Sequence, residues 1–485
     1  MRVLVKTLML EGLKVIEVDV EIAVVRSAIP VHNIVGLASK EVKESFERIR
    51  AAFESAGLKL PAGKITVNLS PADIVKRDTG FDLAIAVGLM IALGSVRREI
   101  IKDGFVVGEI GLDGEVKAPR GLVLFAKYAL LQGKTLICRP IGLLELFKGL
   151  NIQPVYSINS LMDKTKVIEM PGSILEVSEK NNFNIDYVLL NEEEKLLVKL
   201  LAAWDVNALF IGPPGRGKSF IANLIAWLKA PLTYEKYLEV IGIYEYAGER
   251  RVSREVPVRS PHFTLSYSAM FGGGDGMQPG EVSLAHNGVL IMDEFPEFPR
   301  RIVEGLRQPL VEGKVLVSRA SKKVEFPAKF QLLATMNPCP CGEFGYGFCS
   351  CSFREVRGYL NRVSRAVLDR IPVVYNVEGR GRKVVKVSDF KNEVEELAKI
   401  EVPASMEILK RKLNLKDLQF LYELFEKRGI SLRKAVQYFR VIYMLRVLRT
   451  EDELIKSLFL EHFDYVDRLR LMMRKKGGKR IALLE

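Results

Sequence analysis

One glycine-rich segment has the residue types that bind a phosphate chain. It fits G-x-x-x-x-G-K-[ST] and lies between an apolar strand, 208–211, and a helix beginning near Lys218. Glycines let backbone N–H groups close around a β-phosphate, Lys218 reaches the β and γ phosphates, and Ser219 suits Mg²⁺. A chance glycine turn is the alternative, and the flanking elements disfavour it. The predicted phosphate-binding residues are Gly212, Pro213, Pro214, Gly215, Arg216, Gly217, Lys218, Ser219 and Phe220.

Polar side chains follow two further apolar strands. The strand 288–292 ends in Asp293 and Glu294, and the strand 331–335 is followed by Asn337. We expect Asp293 to hold Mg²⁺ through water with Ser219, and Glu294 to orient and polarise the attacking water. The polar side chain of Asn337 is suited to sensing the γ-phosphate or the attacking water. Paired acids at a strand end are otherwise often only solvated, but their spacing from the phosphate loop predicts a Mg²⁺-dependent ATP hydrolase.

Two arginines are candidates to complete this site. Arg370 ends a helix just before the strand 371–375, a place from which an arginine finger projects into a neighbouring subunit. Its alternatives are a salt bridge to Asp369 or a helix C-cap. Arg433 follows Ser431, a plausible N-cap whose helix would bring Arg433 to the γ-phosphate; the alternative is a surface arginine. The predicted catalytic residues are Lys218, Glu294, Asn337, Arg370 and Arg433.

Four of the five cysteines form one cluster, C-x-C-x₇-C-x-C. Four thiolates within thirteen positions suit one tetrahedral zinc ion that would staple the loop after Asn337. The C-x-C spacing is tighter than the usual C-x₂-C, so an iron–sulfur cluster and free or redox-paired thiols remain open. The predicted ligands are Cys339, Cys341, Cys349 and Cys351.

Composition limits the class of protein. The chain has 485 residues, 48% hydrophobic and 27% charged, which fits a soluble multidomain protein with little disorder. Its longest apolar run, 83–93, is far shorter than the roughly 20 residues of a membrane helix. We therefore predict a cytoplasmic protein with no membrane partner. The net charge is +13, and residues 381–485, with 24 basic and 16 acidic residues, carry much of it. That excess is compatible with nucleic-acid binding, although many basic proteins bind none.

The pattern of elements predicts a mixed α/β chain. Residues 1–165 combine strand alternation at 65–69 with helical spacing at 42–53, and from Leu209 onward apolar strands alternate with helices. The second pattern predicts a parallel sheet with helices on both faces. Residues beyond about 385 have mostly helical periodicity and predict a helical lid.

These motifs together resemble the ComM/YifB family of magnesium-chelatase-like AAA+ ATPases, over nearly the whole chain. The most specific segments are 279–288, 293–298, 306–310 and 336–342, and the N-terminal segments 65–73 and 108–116 also match. The resemblance implies a homo-hexameric ring with ATP sites at subunit interfaces. It also implies a role in processing incoming DNA during natural transformation, in which the ring translocates on single-stranded or branched DNA and drives branch migration.

The resemblance also gives the domains names. Residues 1–165 are similar to the Lon protease domain, an α+β fold; 166–185 form a linker; 186–384 form the AAA+ P-loop core; and 385–485 form the lid with a basic tail. A Lon-like domain raises the rival interpretation of an ATP-dependent protease. However, Phe81 and Val123 stand near the places of the serine–lysine pair, and that mechanism needs an activated nucleophile. Lys127 lies close in sequence to Val123 and is the remaining candidate for such a lysine.

Two segments of the core resemble elements that point into the pore of ring motors. Residues 264–278 contain three consecutive glycines and resemble the helix-2 insert, and 314–318 and 323–326 read as two strands of a pre-sensor hairpin. Arg319, Lys322 and Lys323 at the hairpin could grip DNA phosphates without reading sequence, and a solvated hairpin tip is the alternative.

Three function classes follow. We predict an ATP-hydrolysing DNA translocase, a branch-migration helicase, with ATP, Mg²⁺ and Zn²⁺. The runner-up is a chelatase-type or protein-remodelling ATPase acting on a protein partner. A nucleotide-switched scaffold without turnover is disfavoured because Glu294 and Arg370 are both present.

Overall fold

The chain folds as two compact units, each built from two separate stretches of sequence. The first unit comprises Met1–Glu179 and Tyr237–Ser253, and the second comprises Lys180–Lys236 and Arg254–Glu485. Most of the predicted linker and the basic tail fall outside the described residues. This computed structural model describes residues 1–466 except 26, 28, 30, 61, 62, 77, 78, 163–165, 173–184, 250, 252, 275, 276, 320, 321, 429, 430 and 463–465.

The first unit has two four-stranded sheets and one antiparallel pair of short strands, β6 and β7. The strands β1, β2 and β4 are antiparallel and β3 runs parallel to β4, in the order β1-β2-β4-β3; the second sheet has the order β10-β9-β8-β5. The strands are β1 (Arg2–Glu11), β2 (Lys14–Val25), β3 (Val31–Val35), β4 (Lys64–Ser70), β5 (Gly104–Val106), β6 (Glu109–Ile110), β7 (Val116–Lys117), β8 (Thr135–Cys138), β9 (Asn151–Pro154) and β10 (Ile168–Glu169). The helices are α1 (Lys40–Lys43), α2 (Ser45–Ser55), α3 (Asp82–Leu93) and α4 (Leu122–Leu131).

Helix α3 is the centre of this unit's core. It packs against β1 and β2, and its residues from Asp82 to Ile91 are all buried, which explains why its sequence is apolar on every side. The approach to β2 is so close that a Cβ on Gly88 would lie 2.3 Å from the Ile22 side chain. The longest apolar run of the sequence is thus a buried core helix.

The two positions compared with a protease dyad are buried and structural. Phe81 is fully buried, and the Asp82 carboxylate next to it has no exposed surface and forms an ion pair with Arg48, with Nε–Oδ2 and Nη2–Oδ1 distances of 2.7 and 2.9 Å. The hydrogen bonds to Asp82 raise the pKa of Arg48. Val123 is buried as well, and Lys127 pairs with Glu239 at 3.8 Å.

The second unit is built around one five-stranded sheet. Its strands are β11 (Tyr187–Leu190), β12 (Ala208–Ile211), β13 (Val258–Arg259), β14 (Val289–Met292), β15 (Lys314–Arg319), β16 (Lys322–Pro327), β17 (Gln331–Met336), β18 (Val373–Asn376) and β19 (Lys383–Lys386). Its helices, with α7 continuing into the first unit, are α5 (Glu192–Ala203), α6 (Lys218–Leu228), α7 (Tyr234–Ala247), α8 (Tyr267–Phe271), α9 (Glu281–Leu284), α10 (Arg300–Gly305), α11 (Pro309–Glu312), α12 (Phe353–Leu360), α13 (Arg365–Leu368), α14 (Val387–Ala398), α15 (Met406–Lys412), α16 (Leu415–Arg428), α17 (Leu432–Val447) and α18 (Asp452–Ser457).

The central sheet is parallel, in the order β13-β14-β17-β12-β18. This confirms the predicted parallel α/β core. Its strands β12, β14 and β17 are buried along their whole length, consistent with continuous apolar runs in a sheet covered on both faces. In register, Ile211 lies opposite Met336 and Met292 opposite Ala334, so the loops that follow these three strands start at one edge of the sheet.

The residues after β19 are mainly helical. The helices α14 to α18 contribute buried residues to the same hydrophobic core as α5, α6 and the sheet, so this helical region packs onto the parallel-sheet core. Among the described residues, none of the helices combines the length and the apolar character needed to cross a bilayer.

Candidate active site

The phosphate loop joins β12 to α6 in a conformation that needs its glycines. Gly215 and Gly217 have φ values of 75° and 84°, the left-handed region that glycine adopts without cost. A Cβ on Gly212 would lie 2.5 Å from the carbonyl oxygen of Val377, so no side chain fits there. The predicted phosphate-binding residues that are exposed on this loop and the start of α6 are Pro214, Gly215, Arg216 and Phe220.

Lys218 is held inside the loop. Its Nζ donates to the carbonyl oxygens of Gly212 and Pro213, both at 2.8 Å, and to Oδ1 of Asn337 at 3.0 Å. Only 8% of the residue is exposed, and this burial lowers the pKa of Lys218, partly opposed by the carboxylates of Asp293 and Glu294. A buried ammonium group held by neutral oxygens is well placed to bind a more strongly charged phosphate.

The exposed Asp293 carboxylate is tied to two hydroxyl groups. Ser219 Oγ donates to Asp293 Oδ1 at 2.8 Å, and Thr335 Oγ1 donates to the same oxygen. Thr335 Oγ1 also accepts from the backbone N–H of Glu294 at 3.2 Å. A hydroxyl and a carboxylate side by side beneath the phosphate loop are ligand types that Mg²⁺ takes together with phosphate oxygens and water, so the residues fit this ion.

Glu294 has an unusual backbone conformation. Its φ and ψ are 53° and 47°, in the left-handed region that glutamate rarely adopts, and the hydrogen bond to Thr335 helps to hold it. Such outliers concentrate at functional sites, where they aim a side chain. The carboxylate of Glu294 is exposed beyond the end of β14, and Asn337 lies one strand away, so both predicted groups reach the same edge as Lys218.

The two predicted arginines lie near each other. Arg370 is 8% exposed and donates to the carbonyl oxygens of Arg307, at 3.2 Å, and Ala366. Burial, Arg433 and Arg307 lower the pKa of Arg370, in that order of size. Arg433 is exposed in the first turn of α17, whose N-cap is Ser431 as predicted. The predicted contacts of both arginines with phosphate stay a prediction.

Arg382 was missed by the sequence analysis. Its guanidinium forms hydrogen bonds of 2.6 to 3.1 Å with both carboxylate oxygens of Glu194, whose side chain is fully buried, and donates to the Arg216 carbonyl oxygen at 2.9 Å. Glu194 also closes a capping box with Asn191 at the start of α5. Because Arg382 and Glu194 are 188 positions apart, no local pattern signals the pair. Thr335 was also missed, although a hydroxyl in an otherwise apolar strand end is a detectable signal.

The four cysteines of the predicted metal site meet in space. Their sulfur atoms all lie within 4.8 Å of one another, with Cys339–Cys341, Cys341–Cys349 and Cys339–Cys349 separations of 3.3, 3.6 and 3.8 Å. A tetrahedral zinc ion with Zn–S bonds of about 2.3 Å requires sulfurs about 3.8 Å apart. The donor set therefore fits such an ion with small adjustments.

The thiols differ in their electrostatic surroundings. Burial raises the pKa of Cys339, and it raises the pKa of Cys351 to about 11. Burial acts on Cys341 in the same direction, but backbone N–H groups and the neighbouring thiols outweigh it and lower the pKa of Cys341 to about 6. Several thiolates at this spacing repel one another, so a cation is the natural partner of the group.

The predicted hairpin is present as secondary structure, and its role in a pore stays a prediction. The strands β15 and β16 pair antiparallel, as predicted, and Lys323 is exposed, whereas the side chains of Arg319 and Lys322 fall outside the described residues. A groove lies between this hairpin and the glycine-rich segment after α8; it is lined by residues that include Tyr267, Gly273 and Leu316.

Comparison with known proteins gives two family matches. Residues 185–384 match the family described as magnesium chelatase, subunit ChlI, and residues 18–140 match the family described as subunit ChlI of Mg-chelatase. The first match contains the phosphate loop, both carboxylates, Asn337, Arg370 and the cysteine cluster.

Individual relatives cover most of the chain. Competence protein ComM of Haemophilus influenzae is 32% identical over 92% of this chain and 94% of its own length. The YifB proteins of Salmonella typhimurium and Escherichia coli are 30% and 36% identical, over 93% and 73% of this chain and 95% and 71% of their own lengths. The chain therefore belongs to the ComM/YifB family of magnesium-chelatase-like AAA+ ATPases.

Proposed function

We propose that this protein is a cytoplasmic ATPase that assembles as a homo-hexamer and uses ATP hydrolysis to move on DNA, as a branch-migration helicase. The observation that carries the ATPase part is the meeting of Lys218, Asp293 with Ser219, and Asn337 at one edge of the parallel sheet. The DNA part is supported by the relative named competence protein, by the exposed Lys323 on the hairpin and by the excess of basic over acidic residues.

ATP binding is assigned to the phosphate loop. Its backbone N–H groups and the N-terminus of α6 face the phosphates, and Lys218 exchanges its carbonyl partners for phosphate oxygens. Ser219 and Asp293 would hold Mg²⁺, which neutralises phosphate charge during the reaction. Thr335 keeps the Asp293 carboxylate oriented toward this ion.

Hydrolysis is assigned to Glu294 and Asn337. Glu294, whose backbone is in the left-handed region, accepts a hydrogen bond from the attacking water and polarises it. Asn337 already contacts Lys218 and would contact the γ-phosphate or the water, which makes it a sensor of the nucleotide state. Removal of one such positioned polar group costs about 10²–10³ in rate.

Arg370 and Arg433 are assigned to the site of the neighbouring subunit. The two guanidinium groups interact unfavourably within one chain, since Arg433 helps to lower the pKa of Arg370. An anionic ligand beside them relieves this repulsion, and the γ-phosphate at a ring interface is such a ligand. Arg370 then acts as the arginine finger and Arg433 as its partner at the same interface.

The cysteine cluster is assigned to one Zn²⁺ held by Cys339, Cys341, Cys349 and Cys351. Its contribution is structural, because four protein ligands leave no open position for a reaction.

A DNA-stimulated ATPase assay tests the proposal. We expect turnover to rise with single-stranded DNA or a four-way junction, and Glu294→Gln to lower kcat at least about 10²-fold while ATP still binds. The matched control is Glu312→Gln, which neutralises an exposed carboxylate at the end of α11. Turnover indifferent to every DNA tested contradicts the motor.

A subunit-mixing experiment tests the ring. Arg370→Ala and Lys218→Ala chains are each expected to be inactive, because one lacks the finger and the other lacks the phosphate-binding lysine. Mixed rings contain interfaces with both residues intact and should regain measurable ATPase. Absence of recovery, with mixed assembly shown by native mass spectrometry, contradicts a finger acting between subunits.

The alternative is a chelatase-type or protein-remodelling ring. One observation favours it: Tyr267 and Leu316, which line the groove between the hairpin and the glycine-rich segment, are 43% and 46% exposed. Exposed aromatic and aliphatic side chains suit a polypeptide better than a phosphate backbone. Turnover that is independent of DNA and stimulated by an unfolded polypeptide would favour this function.

A further inference from the structure

The cysteine cluster lies beside the phosphate loop. Gly342, in the middle of the cluster, has a φ of 87°, and a Cβ there would lie 2.5 Å from Cδ of Pro214. The backbone of the cysteine loop therefore rests directly on the exposed part of the phosphate loop. The cluster also begins two residues after Asn337, so its first ligand is Cys339, nearly adjacent to the predicted sensor.

The chain leaves the cluster through a well-formed helix. Ser352, immediately after the last cysteine, makes a capping box with Glu355 and starts α12. This helix returns to the candidate active site, where the Tyr359 hydroxyl faces the backbone N–H of Asn337. Only 6% of Tyr359 is exposed. Burial raises the pKa of Tyr359, so the phenol stays protonated at neutral pH.

The same segment reaches the turn that carries Glu294. Arg362 donates to Glu297 Oε2 at 2.7 Å and to the Pro296 carbonyl oxygen at 3.4 Å. Glu297 N–H in turn donates to the Glu294 carbonyl oxygen at 2.7 Å. We call residues 338–362 the cysteine strap. The strap thus contacts the phosphate loop, Asn337 and the turn 294–297 that carries Glu294.

We infer that the metal held by the four cysteines is what keeps the cysteine strap on the nucleotide site, so that metal occupancy controls ATP hydrolysis by positioning Asn337. The inference rests on the proposed ATPase and deepens it.

The physical reason is the composition of the strap. Between Asn337 and α12 there is no strand or α-helix, and the described contacts are short turns and sulfur hydrogen bonds, such as Phe344 N–H to Cys339 Sγ at 3.3 Å. A loop of this kind loses conformational entropy when it is ordered, and four metal–sulfur bonds can compensate for it. Without the metal these four bonds are lost, and the loop separates from Pro214 and from Asn337.

The experiment compares the wild type with Cys349→Ser/Cys351→Ser and with Cys138→Ala. The first variant removes two ligands that are partly exposed, and the control removes a fully buried cysteine of the first unit that lies outside the cluster. Metal per chain is measured by elemental analysis. Amide hydrogen exchange is followed in residues 212–219, 336–344 and, as an internal reference, the strand 208–211.

We expect one metal ion per chain in the wild type and in Cys138→Ala, and none in the double variant. In the double variant exchange should accelerate in 212–219 and 336–344 while 208–211 stays protected. We also expect kcat to fall about 10²-fold, the effect of displacing a catalytic group by about 1 Å, with a smaller change in ATP affinity.

The outcomes separate this inference from the proposed function. Absence of metal in the wild type, or loss of metal with unchanged exchange and kcat, overturns the inference and leaves the ATPase intact. A wild type without ATPase but with metal-dependent exchange overturns the proposed function and with it the control of hydrolysis, and leaves only the placement of the cysteine strap by the metal. If the double variant also loses protection at 208–211, its sheet is disturbed and Tyr359→Phe is the variant to measure. Tyr359→Phe should retain the metal and lower kcat with little change in KM. Normal turnover in this variant refutes the positioning of Asn337 by the cysteine strap.

Discussion

Substitution of Arg382 tests the contact that the sequence could not reveal. Arg382→Met removes the guanidinium but keeps a long apolar side chain, and it leaves the Glu194 carboxylate without its cationic partner. Glu194 has no exposed side-chain surface, whereas Arg382 is 20% exposed. Breaking a fully buried ion pair costs about 3–5 kcal/mol, and because water reaches Arg382 the low end applies, about 3 kcal/mol.

The assay is urea unfolding followed by tryptophan fluorescence. Both tryptophans, Trp204 and Trp227, belong to the second unit, so the signal reports this unit alone. If the free energy of unfolding falls by about 3 kcal/mol per molar urea, the urea concentration at the midpoint of unfolding should fall by about 1 M. Because Arg382 also donates to the Arg216 carbonyl oxygen, the ATP dissociation constant should rise about tenfold, the equivalent of one hydrogen bond.

Two controls make the result decisive. Lys195→Met removes an ion pair from the same helix, but its partner Glu192 is 72% exposed, so the loss should stay below about 1 kcal/mol. Glu194→Gln combined with Arg382→Met removes the buried charge and should recover most of the lost stability. Equal shifts for Arg382→Met and Lys195→Met, or no recovery in the double variant, would refute the reasoning.

Two further predictions concern close packing and pH. Gly342→Ala forces a Cβ against Pro214 and should weaken ATP binding, while Gly274→Ala, also left-handed but with open space around it, should not; equal affinities by fluorescent-nucleotide titration would contradict the contact. Burial raises the pKa of Glu245, so the folded first unit binds this proton more tightly than the unfolded chain does. The stability contribution of this group should therefore grow as pH falls through that raised pKa and be smallest above it. The pH dependence of the stability of the first unit, measured by amide exchange in α4, should be flatter in Glu245→Gln than in the wild type. An equal pH dependence in both would argue against a buried carboxylate.

Much of the candidate site was predictable because its chemical groups follow local sequence patterns. The phosphate loop needs its glycines, lysine and serine at fixed spacing, and Asp293, Glu294 and Asn337 directly follow apolar strands. Parallel strands place their carboxyl ends at one edge, and the register of β12, β14 and β17 brings these groups there. The hairpin β15–β16 and the N-cap Ser431 were likewise predicted from local alternation and capping chemistry.

The remaining features depend on contacts between residues far apart in the chain. Nothing near Arg382 indicates that it pairs with Glu194, and nothing near Gly342 indicates that it rests on Pro214, since either contact depends on how strands and helices pack. Part of α7 joins the first unit although the sequence around it belongs to the second, which contiguous patterns could not show. By itself the sequence determined the chemical groups and the strands that carry them. Only the tertiary structure decided which distant side chains hold those groups in place, because burial and packing are properties of the folded chain.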